Sequence, residues 1–86
     1  MNSLDCAVKN IIDACSNAKI FTGEYENCLY RTLEDGTIQF SAKEYFDRWA
    51  NSVLFDLNYF SMLEHYGLEQ TELMVEKTIQ IFAKES

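Results

Sequence analysis

Apolar residues recur at helical spacing in the first segment. Leu4, Ala7, Val8, Ile11, Cys15 and Ala18 form one stripe, and Asp5, Lys9, Asn10, Asp13, Ser16 and Asn17 take the other side. This pattern predicts an amphipathic helix over residues 3–18, with Asn2 or Ser3 capping its first turn. From residue 19 the period shortens to two. Ile20-Phe21-Thr22 is a β-prone segment closed by Gly23, Tyr25 to Leu33 alternates, Glu34-Asp35-Gly36 is a turn signal, and Ile38-Gln39-Phe40 resumes the alternation. Two hairpin registers compete. A two-residue Asp35-Gly36 turn pairs Leu33 with Ile38 and Arg31 with Phe40. A three-residue turn with Gly36 left-handed pairs Thr32 with Ile38 and Tyr30 with Phe40. The second is preferred, because it stacks two rings across the strands and puts Cys28, Tyr30, Ile38 and Phe40 on one face. Ile20-Phe21 is a candidate third, edge strand.

Ser41 to Tyr66 holds the single tryptophan and a dense run of other rings. Ser41-Ala-Lys-Glu44 matches a capping box where the β-period ends. Ala42, Phe46, Trp49, Ala50, Val53, Leu57 and Phe60 then stay in one helical stripe, while Phe55, Tyr59, Met62 and Tyr66 fall on the far side. In one reading the helix runs unbroken to Tyr66 and its back face is covered or offered to a partner. In the other the chain breaks near Asp56-Leu57-Asn58, with Asp56 or Asn58 capping a new, rotated helix. No Gly or Pro forces a break, so continuity or a mild kink is the preferred expectation.

Gly67 reads as a helix stop with Leu68 as its hydrophobic contact. Glu69 to Lys84 forms the last predicted helix, with Leu68, Thr71, Val75, Thr78, Ile79 and Phe82 as its stripe and Met74 and Ile81 off it. The expected architecture is α+β, one domain over residues 1–86: an N-terminal helix, a β-hairpin or three short antiparallel strands, then two C-terminal helices packed on the sheet.

Composition narrows the function classes. Apolar residues make up 48% and aromatics 14% of the 86 residues, a folded composition. The net charge is −7. Nucleic-acid binding needs Lys and Arg to displace counterions from phosphates, so direct binding to DNA or RNA is not expected. Acidity suits a partner protein with a basic surface instead. The three cysteines, Cys6, Cys15 and Cys28, are odd in number and lack metal-ligand spacing, which reads as free thiols in a reducing cytoplasm. The N-terminal segment has no basic region followed by an apolar run, so no signal peptide is read there. No apolar run is long enough for a membrane span.

Candidate chemistry is sparse. His65 is the single histidine, and Glu64 beside it points about 100° away on a helix. A metal site from Glu64, His65, Glu69 and Glu72 is interrupted by Gly67. No catalytic, cofactor or metal residues are assigned, and no enzyme is expected. Tyr66-Gly-Leu-Glu-Gln70 resembles the segment around the attachment serine of acyl carrier proteins, but Gln70 stands where that hydroxyl should be.

Charge distribution carries more. No Lys or Arg lies between Arg48 and Lys77, whereas Asp56, Glu64, Glu69, Glu72 and Glu76 do. Glu69, Glu72 and Glu76 share a helix face. A second acidic group is Glu24, Glu26, Glu34 and Asp35. The expected partner-binding surface is therefore Phe55, Tyr59, Met62, Glu64, Tyr66, Glu69, Glu72 and Glu76, with carboxylates for steering and rings for affinity. In size, charge and layout the chain is similar to some phage anti-defence proteins such as anti-CRISPRs, and to bacterial toxin-immunity proteins. That likeness implies a small inhibitor that occludes a basic, nucleic-acid-binding protein. The alternative is an adaptor that forms a homodimer through Phe55, Tyr59, Met62 and Tyr66.

Overall fold

A computed structural model of the chain describes residues 3–43 and 55–84. Helix α1 (Ser3–Ser16) leads into four strands, β1 (Phe21–Tyr25), β2 (Cys28–Thr32), β3 (Thr37–Ala42) and β4 (Phe55–Asn58), and the chain ends in helix α2 (Tyr59–Ala83). The strands form one antiparallel sheet in the order β1-β2-β3-β4. Both helices pack on one face of it. The α+β class is as expected, but among the described residues the sheet has four strands and the C-terminal region is one helix, kinked at Gly67, rather than two.

Helix α1 buries Leu4, Ala7, Val8, Ile11 and Cys15, as its stripe predicts, together with Ile12 and Ala14. It ends earlier than the periodicity suggests. Ala18, expected on the stripe, lies beyond the helix with φ 52° and is exposed. The amide of Lys19 donates to the Ala14 carbonyl at 2.9 Å and that of Ala18 to Cys15 at 3.1 Å. This is the two-bond pattern of a Schellman cap with alanine in the left-handed position that usually favours glycine.

The β2–β3 hairpin takes the preferred register. Thr32 faces Ile38 and Tyr30 faces Phe40. The Gly36 amide donates to the Leu33 carbonyl at 3.1 Å, and Gly36 has φ 86°. Cys28, Tyr30, Ile38 and Phe40 all enter the core. The first hairpin was less visible in the pattern. Tyr25 to Leu33 is not one strand: the chain turns at Glu26-Asn27, with Tyr25 opposite Cys28 and Glu26 at φ 51°. Gly23 closes nothing; it sits inside β1 opposite Tyr30, where a Cβ would meet that ring at 2.7 Å.

The Ser41–Tyr66 helix is the main correction. Ser41 and Ala42 belong to β3, paired with Leu29 and Cys28, and the Ser41 hydroxyl donates to the Ala42 carbonyl rather than capping a helix. Strand pairing has claimed both residues. Phe46, Trp49, Ala50 and Val53 of the expected stripe lie outside the described residues. Phe55 and Leu57 pair with Phe40 and Ile38 as an added strand. The chain does change direction near Asp56-Asn58, as the less favoured reading held, but from strand to helix. Asn58 is extended, and its Oδ1 accepts from the Ser61 amide at 3.0 Å as the N-cap of α2.

Helix α2 is docked at both ends. The Tyr59 amide donates to the Gly36 carbonyl at 2.8 Å, and the Asn58 side-chain amide donates to Asp35 at 3.2 Å. At the far end Phe82 stacks on Phe40 with centroids 6.3 Å apart, and Phe55 sits 6.4 Å from each. Gly67 breaks the helical backbone with φ 81° and ψ 169°. Beyond it Thr71, Val75, Thr78 and Ile79 are buried. The two threonines satisfy their hydroxyls by donating to Gly67 and Met74, each at 2.8 Å.

Candidate docking groove between the two helices

Side by side on the sheet, α1 and α2 leave a groove of about 640 Å³ along their outer surface. Its floor is apolar. Val8 and Ile12 stand one turn apart on α1, and Leu68 and Leu73 face them from α2. Val8 and Ile12 are buried, whereas Leu68 and Leu73 are 50% and 39% exposed. Helical geometry explains the layout: the residues of α1 that face the sheet are flanked by Val8 and Ile12, and these by Asp5, Lys9 and Asp13 at intervals of four.

The banks are acidic. Asp5 and Asp13 line the α1 side, and Glu69, Glu72 and Glu76 the α2 side, with Lys9 as the one cation. Among the described residues none of the five carboxylates is in an ion pair; the ion pair that is present, Lys43–Glu24 at 3.0 Å, lies on the sheet. A row of uncompensated charge beside exposed leucines favours a cationic, partly apolar surface.

The expected binding residues part company here. Glu69, Glu72 and Glu76 come together on the groove. Glu64 and Tyr66 are exposed on the stretch of α2 before the Gly67 kink and do not line it. Tyr59 and Met62 are 4% and 5% exposed. Tyr59 is held by a hydroxyl–hydroxyl hydrogen bond to Ser16 at 3.2 Å. Both belong to the core, so the stripe Phe55–Tyr59–Met62–Tyr66 is not a surface. Phe55, about half exposed, lies on β4 against Phe40 and Phe82. The second acidic group is also divided. Glu26 occupies the β1–β2 turn, and Glu34 and Asp35 occupy the β2–β3 turn, at opposite ends of β2. Glu24 is paired with Lys43.

The groove's α1 bank was missed because Asp5, Lys9 and Asp13 look like an ordinary solvated helix face. Ile12, one position beyond the main stripe, is the residue that widens the apolar surface toward α2 and could have signalled it.

Other reactive groups sit elsewhere. His65 Nδ1 donates to the Ser61 carbonyl at 2.9 Å, one helical turn back, and its ring centroid is 6.1 Å from that of Tyr66. Cys15 and Cys28 are buried thiols, and burial pushes them up from 9.0 to about 11 and about 12. They are protonated and poorly nucleophilic at neutral pH. Among the described residues no group of three or more His, Cys, Asp or Glu side chains is placed to hold a metal ion, and no helix is long and apolar enough to cross a membrane. Comparison with family models, with curated proteins and with solved structures gives no match.

Proposed function

We propose that this chain is a small inhibitor, of the immunity or anti-defence kind, that binds a partner protein through that partner's basic surface and blocks it by occlusion. The observation that carries this reading is the placement of Asp5, Asp13, Glu69, Glu72 and Glu76 around one apolar-floored groove with a single lysine among them. Carboxylates on two packed helices form a fixed array. They speed the encounter with a cationic surface and need no reorganisation on contact. A homodimer through Phe55, Tyr59, Met62 and Tyr66 is the less supported reading, because Tyr59 and Met62 are packed in the core and only Phe55 and Tyr66 are exposed.

The test is affinity capture with the native chain and with a Glu69→Lys, Glu72→Lys, Glu76→Lys variant whose fold is checked by circular dichroism. The native chain retains a basic protein and inhibits its activity, and retention falls as salt is raised. The variant loses both. Equal capture by the folded variant overturns the reading.

A further inference from the structure

We infer that the occupant of the α1–α2 groove is a cationic amphipathic helix presented by the partner. This rests on the reading that the partner is basic, and it adds the binding mode. Two features decide it.

The first is the chemistry of the walls. Away from the first turn of α1 and the Gly67 break in α2, both banks are helical, with backbone amides and carbonyls satisfied internally. They offer no sheet edge to an incoming chain. An extended segment laid here would have to desolvate its own backbone groups without partners. A helix brings its backbone bonds with it, so it can enter a groove walled by helices at no such cost.

The second is the spacing of the floor. Val8 and Ile12 are separated by one helical turn, about 6 Å along α1. Leu68 and Leu73, five residues apart, add a wider-spaced apolar pair on α2. A partner helix with apolar residues at i, i+3 and i+4 seats them between these rows. Lys or Arg on its flanks then meets Asp5 and Asp13 on one side and Glu69, Glu72 and Glu76 on the other. The leucines that such a helix would cover are the ones the fold leaves exposed.

The experiment uses the full chain, isotope-labelled, and a synthetic Leu/Lys peptide of about 18 residues, long enough to hold a helix. Its control is a peptide of the same composition whose leucines are scrambled off one face. Amide shifts are mapped, and peptide helicity is followed by circular dichroism. The amphipathic peptide is expected to become helical, to shift residues around Val8, Ile12, Leu68 and Leu73, and to bind roughly tenfold more tightly than its control. Leu68→Ser with Leu73→Ser, both at exposed positions, should remove that preference and leave the dichroism unchanged. Equal affinity for both peptides overturns the inference. So do shifts that avoid the floor residues, or spermine saturating the groove and displacing the peptide, which would make the occupant a small cation. If the Glu→Lys variant loses the natural partner while the Leu→Ser variant keeps it, the helix-in-groove mode fails and the acidic-surface reading stands.

Discussion

The ring of Phe60 lies over Gly36, so close that a Cβ on the glycine would stand 2.5 Å from the ring edge. The same glycine has φ 86° and accepts the Tyr59 amide at 2.8 Å, which ties the β2–β3 turn to the first residue of α2. Gly36→Ala therefore carries two costs: about 1–2 kcal/mol for a left-handed alanine and about 1–3 kcal/mol for overpacking. Phe60→Ala in the same chain should relieve the second but not the first. Urea unfolding of the two single variants and the double variant should show less than additive loss. Strict additivity would mean that the ring does not press on the turn.

Ala18 closes α1 from the left-handed region, where its Cβ is a liability. Ala18→Gly should stabilise the chain by about 1 kcal/mol, raising Tm by about 4–8 °C for a domain of this size. Ala18→Val should move Tm the other way. An unchanged melting temperature in both would place the strain outside the folded state.

Within α2, core and surface alternate over a few residues. Met62→Ala should cost about 2–5 kcal/mol, because its side chain is buried among α1 and the sheet. Glu69→Gln, Glu72→Gln and Glu76→Gln should each change stability by no more than about 0.5 kcal/mol. A large loss in the glutamine variants would show that these carboxylates serve the fold rather than the groove.

Gly67 separates from the other glycines in that a Cβ there would meet nothing. Its φ of 81° and ψ of 169° fall in a region essentially reserved for glycine. Gly67→Ala should then cost about 1–3 kcal/mol through backbone strain alone. Unaltered stability with increased helical dichroism would mean that α2 straightens freely, and that packing does not hold the kink.

The thiols set the alkaline limit. Burial raises Cys15 to about 11 and Cys28 to about 12 from 9.0, and burial also raises Tyr30. Below pH 9 all three are protonated in both states and the fold keeps its full stability from them. As pH climbs past 9 the unfolded thiols ionise first, the unfolded chain binds fewer protons, and stability falls through the folded values. Tm should decline between pH 9 and 11, and less steeply in Cys15→Ala. Brief maleimide treatment at pH 7.5 should label half-buried Cys6 well before Cys15 or Cys28. Three equal labelling rates in the native state would contradict the burial.

Local rules carried α1 up to Ser16, the β2–β3 register and the stripe of the last helix from Thr71 onward, since each follows from a repeat that neighbouring residues complete; Leu68, expected on that stripe, is half exposed because it follows the Gly67 break. Ser41-Ala42 and Phe55 to Asn58 do not yield to such rules. Leu57 and Phe60 stand three apart and fit a helix, but Phe55 and Leu57 stand two apart and fit a strand. Pairing with Phe40 and Ile38, distant in the chain, decided for the strand. Ser41 likewise satisfies a capping pattern until Leu29 pairs with it. The candidate site was half legible for the same reason. Glu69, Glu72 and Glu76 share a face by helical arithmetic, but nothing local says that Asp5 and Asp13 stand across from them. Tyr59 and Met62 fall off the apolar stripe only if the helix is continuous through Phe55–Asn58; in a helix that begins at Tyr59 they face the core.

The groove is built from the first and last elements of the described chain, α1 and α2, whose contacts are among the most distant in sequence that the fold makes. It therefore exists only when folding is complete. Any ligand it holds binds the native state and not the unfolded chain, and mass action converts occupancy into resistance to denaturation, about 2.7 kcal/mol at a hundredfold excess over Kd. A melting curve thus becomes a detector. Fractions of a cell extract, or a panel of basic peptides, can be ranked by how far each delays unfolding, with no assay of activity and no prior idea of what the partner does.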